Sequence, residues 1–170
     1  MKEVSFRNDI LPLKNILFRV ALRITLNREE AEDVVQDTLI KVWNRRDELS
    51  EIDSVEAYSL RICRNLSLDR IKRHENLNRS LSDKETDSPD SSYDPAEQAI
   101  SRNKVSIITG LISSLPEMQR SCVQLRDIEE KSYREIAGIL CISEQMVKAN
   151  IFKARQTIKN KYQQLDNYGL

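Results

Sequence analysis

Between Gln145 and Tyr162 the chain carries Lys148, Lys153, Arg155, Lys159 and Lys161, and no acidic residue. A second run holds Arg61, Arg64, Arg70, Lys72 and Arg73, opposed by Asp69 alone. The whole chain has 27 basic and 27 acidic residues, so these local excesses stand against a neutral background. Clustered cations of this kind suit phosphate, because neutralising a nucleic-acid backbone releases its condensed counterions. Lys148, Asn150 and Lys153 fall near the start of the first run, where long polar side chains on a helix can reach base edges or phosphates. Arg155, Lys159 and Lys161 lie further along and suit phosphate or solvent. A third cluster has the opposite sign. Glu32, Asp33, Gln36 and Asp37 share one helical face. Acids in a first helical turn complement the helix dipole, but Asp37 lies too far in for that to suffice. It predicts a docking face for a basic partner.

Other chemistries find no support. The three cysteines, Cys63, Cys122 and Cys141, are scattered, and there is one histidine, His74. A structural zinc site wants four closely spaced Cys or His ligands, so no metal is expected, and the thiols are expected to be reduced core residues. There is no glycine-rich phosphate loop and no nucleophile–histidine pair. The sequence therefore predicts no cofactor, no small-molecule substrate and no catalysis. The N-terminus lacks an apolar signal region, and no window reaches the roughly 18 apolar residues of a membrane span. A cytoplasmic protein without membrane insertion is expected.

The elements that must position these clusters are helical. Gly occurs 3 times and Pro 4 times in 170 residues, which leaves few breakers among many good helix formers. Ile10, Leu13, Ile16, Leu17, Val20, Ala21 and Ile24 predict a helix over 10–26. Asn27 followed by Glu30 is a capping-box start. It opens a helix with the buried stripe Ala31, Val34, Val35, Thr38, Leu39, Val42 and Trp43. A third helix is expected over 53–73. Residues 78–94 are rich in Ser and Asp and poor in large apolar groups, so they read as a flexible acidic linker. Asp94-Pro95-Ala96-Glu97 then restarts a helix, with Ala99, Val105, Ile108, Leu111 and Ile112 as its core. Pro116 starts another. The expected fold is all-α: two small helical domains, 1–76 and 95–170, joined by the linker 77–94, with a frayed tail over 163–170.

The most specific local pattern runs from Ser132 to Lys148. Ser132 and Glu135 cap a short helix from Tyr133 to Leu140, a tight turn follows, and Ser143 caps a longer helix from Glu144 to about Tyr162. Ile136, Ala137, Leu140, Ile142 and Val147 form the shared core. This is a helix-turn-helix, whose second helix lies in the major groove.

With Glu32-Asp33-Val34-Val35-Gln36-Asp37-Thr38-Leu39-Ile40-Lys41-Val42-Trp43, the segment Ala57–Arg70, and Leu115-Pro116-Glu117 through Arg155, the chain resembles the extracytoplasmic-function sigma factors of the sigma-70 family. The resemblance covers about residues 8–162, with a sigma domain 2-like bundle first and a sigma domain 4-like helix-turn-helix second. It implies that Asp33, Gln36, Asp37 and Ile40 dock on the clamp helices of core RNA polymerase. It implies that Tyr58, Arg61, Asn65 and Asp69 melt the promoter −10 element and capture a flipped base, with Arg64, Arg70, Lys72 and Arg73 on the backbone. It implies that Lys148, Ala149, Phe152 and Lys153 read the −35 element. Captured bases need stacking surfaces and edge-reading groups beside cations, which the second run supplies. The resemblance also implies an anti-sigma partner that occludes both domains, and a linker that threads a basic polymerase channel; composition alone reads that linker as a solvated tether. Three positions depart from the family pattern. Tyr58 stands where Trp is frequent, Cys141 where the turn usually has Gly, and Ala149 where Ser is frequent. The alternative reading is a dimeric helix-turn-helix regulator, which predicts polymerase-independent binding to a palindromic operator.

Overall fold

The computed structural model describes residues 3–80 and 100–168. Among them are seven α-helices and no strand: α1 Lys14–Thr25, α2 Arg28–Asn44, α3 Val55–Ser80, α4 Ile100–Ser113, α5 Glu117–Val123, α6 Tyr133–Leu140 and α7 Glu144–Asn167. The Ser/Asp-rich stretch and the Asp94-Pro95-Ala96-Glu97 helix start lie mostly or wholly outside the described residues.

α1 starts four residues later than its periodicity predicts, and Pro12 is the reason. Proline has no N–H to give the helical ladder, although Leu11 before it keeps right-handed helical angles, φ −59° and ψ −36°. The chain instead makes one wide helical turn over Phe6–Ile10, capped by Ser5, and a 3-10 turn over Leu11–Leu13. α1 ends at Leu26, which adopts the left-handed conformation with φ 54°. α2 opens where expected: the Asn27 side chain accepts from the Glu30 N–H at 3.0 Å. The Glu30 carboxylate does not return to Asn27 but is drawn to α3. α3 runs past the predicted end at 73, because residues 74–80 contain no breaker, and so residues 78–80 are helix rather than linker.

α1, α2 and α3 pack as a bundle over Leu17, Val20, Ala21, Ile24, Ala31, Val34, Leu60 and Cys63. Beside it Ile10, Val42 and Leu49 form a second cluster. There the Phe6 and Trp43 rings meet edge to face at 5.5 Å.

In the second half, Ser132 and Glu135 complete a full capping box, and Ser143 accepts from the Met146 N–H. Both caps satisfy otherwise orphaned first-turn donors. α7 continues through Asn167, so most of the expected frayed tail is helical. α4 differs from its expected role. Val105 is 67% exposed and Ile108 also faces solvent, while only the last turn, at Ile112, joins Leu115, Val123 and Ala154 in a small core.

The two halves share one apolar cluster. Leu17, Val20, Ala21, Ile24, Leu60 and Cys63 of the first are continuous with Cys122, Leu125, Ile136, Ile139, Leu140, Val147 and Ile151 of the second. Burial pushes the thiols of Cys63 and Cys122 up, to about 12 and about 11. Both are therefore protonated, inert core groups at neutral pH.

Candidate nucleic-acid and partner interface

α7 places its chemistry along one stripe. Lys148, Phe152, Arg155 and Lys159 recur at three- and four-residue spacing, so they share a face, and they line one shallow groove with Tyr133. The Lys148 Nζ sits 5.7 Å from the Tyr133 ring centroid, within cation–π range. Phe152 is 65% exposed. Ala149 and Lys153 are also exposed. Two of the expected contacts are engaged inside the chain. Asn150 donates to the Met146 carbonyl at 2.8 Å. Arg155 forms a two-pronged ion pair with Asp127, which raises the arginine's pKa through the hydrogen bond.

This helix is presented by the turn before it. α6 ends at Cys141 with φ 56° and ψ 44°, the left-handed conformation that usually calls for glycine. The turn therefore keeps the geometry that sequence reasoning associated with Gly, at a steric cost of order 1–2 kcal/mol.

The second surface lies between α2 and α3. Lys41, Asn44, Arg45, Ile62, Asn65 and Asp69 line a groove there. Asn65, Asp69, Lys72 and Arg73 are exposed along α3. Tyr58 is half-buried, and its hydroxyl accepts from Arg45 at 3.1 Å. Lys41, Asn44 and Arg45 were not singled out from the sequence. The signal was available, because Asp37, Lys41 and Arg45 follow at four-residue steps on one helical face.

The remaining arginines of α3 are held elsewhere. Arg61 donates to the Gly138 carbonyl at 2.6 Å. Arg64 forms a two-pronged pair with Glu117, at 3.2 and 3.0 Å. Arg70 faces α2, with Glu30 at 2.8 Å, Asp37 at 3.0 Å and Asp33 at 3.6 Å. His74 adds a contact to Glu30 at 3.0 Å. The Arg70 hydrogen bond, then that of His74, holds the Glu30 carboxyl below the usual carboxylate range. Thus the acidic face of α2 already has a basic partner within the chain. Asp33, Gln36 and Ile40 nonetheless remain exposed, Ile40 at 58%.

Among the described residues no helix is long and apolar enough to cross a membrane, and no group of His, Cys, Asp and Glu could hold a metal ion.

Comparison with known proteins accounts for this arrangement. The Sigma-70 region 2 model matches residues 10–76, and the Sigma-70, region 4 model matches residues 106–158, together well over half of the chain. A probable RNA polymerase sigma factor, RfaY of Xanthomonas campestris pv. campestris, is 28% identical over 162 residues, covering 92% of this chain and 40% of that protein. The extracytoplasmic-function sigma factor SigM of Bacillus subtilis is 27% identical over 150 residues, covering 87% of this chain and 89% of its own. SigE of Mycolicibacterium smegmatis is 28% identical over 145 residues, covering 85% of this chain and 56% of its own. The chain thus spans about half or less of the length of two of these three relatives. Among solved structures, the fold is shared with the sigma factor RpoE of Bartonella quintana, crystallised with the anti-sigma factor NepR. That match has a TM-score of 0.75 at 20% identity, over 91% of this chain and 94% of the other. It is also shared with CnrH in complex with the cytosolic domain of CnrY, with a TM-score of 0.66 at 20% identity, over 93% and 87%. Two region-level matches in order along one polypeptide, and like relatives across nearly its whole length, have one meaning: the chain belongs to the sigma-70 family of RNA polymerase sigma factors, in its extracytoplasmic-function group.

Proposed function

We propose that this chain directs core RNA polymerase to particular promoters and helps open the DNA there, with all catalysis left to the polymerase. The observation that carries this is the presence in one chain of two separate cationic helical surfaces, on α3 and α7, together with an acidic and apolar face on α2. The first two suit two stretches of one DNA molecule, and the third suits a basic protein partner.

In this reading residues 1–76 bind the polymerase clamp and melt the −10 element, 77–94 connect, and 95–170 recognise the −35 element. Asp33, Gln36, Asp37 and Ile40 dock on the polymerase. Tyr58, Asn65 and Asp69 line the pocket for a flipped base, where Tyr58 offers a smaller stacking ring than Trp. Arg61 acts with them in melting and base capture, and Arg64, Arg70, Lys72 and Arg73 hold the backbone. Lys148, Ala149, Asn150, Phe152, Lys153 and Arg155 form the duplex-reading surface; Ala149 cannot give a phosphate the hydrogen bond a Ser could. The protein acts in the cytoplasm, where its template and polymerase are, and an anti-sigma factor restrains it.

The test is run-off transcription with purified bacterial core polymerase on genomic fragments, alongside co-elution of the chain with core enzyme. Defined transcripts that need the chain, and a 1:1 complex, are expected. Binding to a symmetric duplex site without polymerase, and no complex with core enzyme, would replace this reading with a stand-alone regulator.

A further inference from the structure

We propose that Asp127 is a positioning residue for duplex binding: its carboxylate holds the Arg155 guanidinium as a DNA phosphate would, and so withholds one cation of α7 from sequence-independent contact. This rests on the functional reading above, in which α7 faces duplex DNA, and it names the residue that sets how strongly that face grips any backbone.

The pair is built from two elements far apart in the chain. Between α5 and α6 the backbone makes a wide helical turn over Gln124–Ile128, closed by the Glu129 N–H on the Gln124 carbonyl at 3.0 Å. Single turns of this kind are frequent at functional sites. Here the turn sends two consecutive side chains toward the helix-turn-helix. Arg126 donates to the Lys131 carbonyl at 2.9 Å and lies 4.8 Å from the centre of the Tyr133 ring. Asp127 reaches α7, where its two oxygens accept from the Nε and Nη2 of Arg155, the first at 3.1 Å. A guanidinium takes carboxylate and phosphate in the same two-pronged geometry. Lys148 and Lys159 line the same groove as Arg155, and among the described residues neither they nor Lys153 form an ion pair. Arg155 is thus the cation of this stripe whose charge is already matched within the chain.

Stability alone does not account for the carboxylate. The Arg155 side chain is 52% exposed and that of Asp127 37%, so solvent screens the pair and its contribution to folding is small. Its effect on duplex binding is larger, because each cation that neutralises a phosphate adds ~0.9 to the slope of log affinity against log salt. That added grip is the same on every sequence. A genome offers a vast excess of non-specific sites, so grip of this kind dilutes recognition of the right one. With Arg155 matched by Asp127, Lys148 and Phe152 meet the DNA with fewer indiscriminate contacts beside them.

The test is fluorescence anisotropy of the full chain with a labelled DNA duplex of mixed sequence, titrated with salt. Asp127→Asn is expected to steepen the salt dependence by ~0.9. Two lines that differ by that slope and meet near ~1 M salt stand about eightfold apart at ~0.1 M, so the variant should bind about eightfold more tightly there. Asp127→Glu, which keeps the charge, should keep the parent slope. Adding Arg155→Gln to Asp127→Asn should remove the gain, which a general loosening of the fold would not do. An unchanged slope, weaker binding, a gain that survives the loss of Arg155, or an Asp127→Asn chain that fails to fold would each overturn the proposal. Run-off transcription with core polymerase separates it from the functional reading. Unchanged duplex binding, with chain-dependent transcripts from parent and variant, would overturn the role of Asp127 alone. The expected gain, with no chain-dependent transcript from either protein, would leave that role standing and overturn the functional reading.

Discussion

Arg70 of α3 holds Asp37 of α2 at 3.0 Å, and the same guanidinium holds Glu30 at 2.8 Å. A residue assigned to the DNA backbone and one assigned to the polymerase are therefore direct partners. The pair joins the two surfaces electrostatically, because whatever draws Asp37 away loosens Arg70.

Asp37→Asn separates docking from folding. The side chain of Asp37 is 49% exposed and that of Arg70 26%, so solvent screens the pair, and its loss should cost only about 0.5–1 kcal/mol of stability. Arg70 keeps Glu30. Co-elution with core polymerase should nevertheless weaken clearly, because a charge on the docking face is gone. Capture of core enzyme at unaltered strength would remove Asp37 from that face. Asp37→Arg should abolish capture, but it also sets two guanidiniums together, so its effect is harder to assign.

Lys148 lies on the exposed stripe of α7, and its ammonium rests near Tyr133. If it reads a base edge, Lys148→Ala should weaken −35-dependent initiation by about 1–3 kcal/mol and relax selectivity at one position. If it holds a phosphate, binding should weaken evenly across sequences and the salt slope should fall by about one. Run-off assays on −35 variants at several salt concentrations distinguish these. Unchanged strength, selectivity and salt slope would take Lys148 off the reading surface.

Cys141 pays for its left-handed backbone with Cβ crowding, at φ 56°. Cys141→Gly relieves this but adds freedom to the unfolded chain, so a net gain of up to about 1 kcal/mol is expected. Cys141→Val should lose more than about 1 kcal/mol, because a β-branched residue tolerates positive φ worst. Urea midpoints for the two variants should fall on opposite sides of the parent; the same sign for both would contradict the strain argument.

Acid should loosen the protein through two carboxylates. The Arg70 hydrogen bond holds Glu30 below the usual range, and the backbone N–H of Ser132 does the same for Glu135. Each group has a lower pKa folded than unfolded. Its stabilisation is complete above the unfolded value, near about 4.3, and is lost as pH falls through the folded value. Urea midpoints should decline below about pH 4.3, and Glu30→Gln should flatten part of that decline. An identical pH profile for parent and variant would show that Glu30 carries none of it.

Much of the second half was legible because its signals are local. The Ser132–Glu135 box and the Ser143 cap each join residues three apart, so side-chain type and spacing suffice to read them. The periodic stripes of α1 and α2 were likewise readable, since a helix buries what recurs at three and four. Departures arose where a neighbour, or its absence, outweighed the pattern. Pro12 delayed α1, nothing stopped α3 at 73, and Val105 and Ile108 stay exposed despite helical spacing.

The chain's letters alone determined the helices, their caps, the turn ahead of α7 and the sites where charge accumulates, because each depends on residues within about one helical turn. Only the folded arrangement decided which charges are spent. Arg64 is 53 positions from Glu117, and Arg61 is 77 from Gly138. Nothing in a linear pattern selects one carboxylate or carbonyl among so many, so pairing at that range is settled by how the two halves bury their apolar faces together.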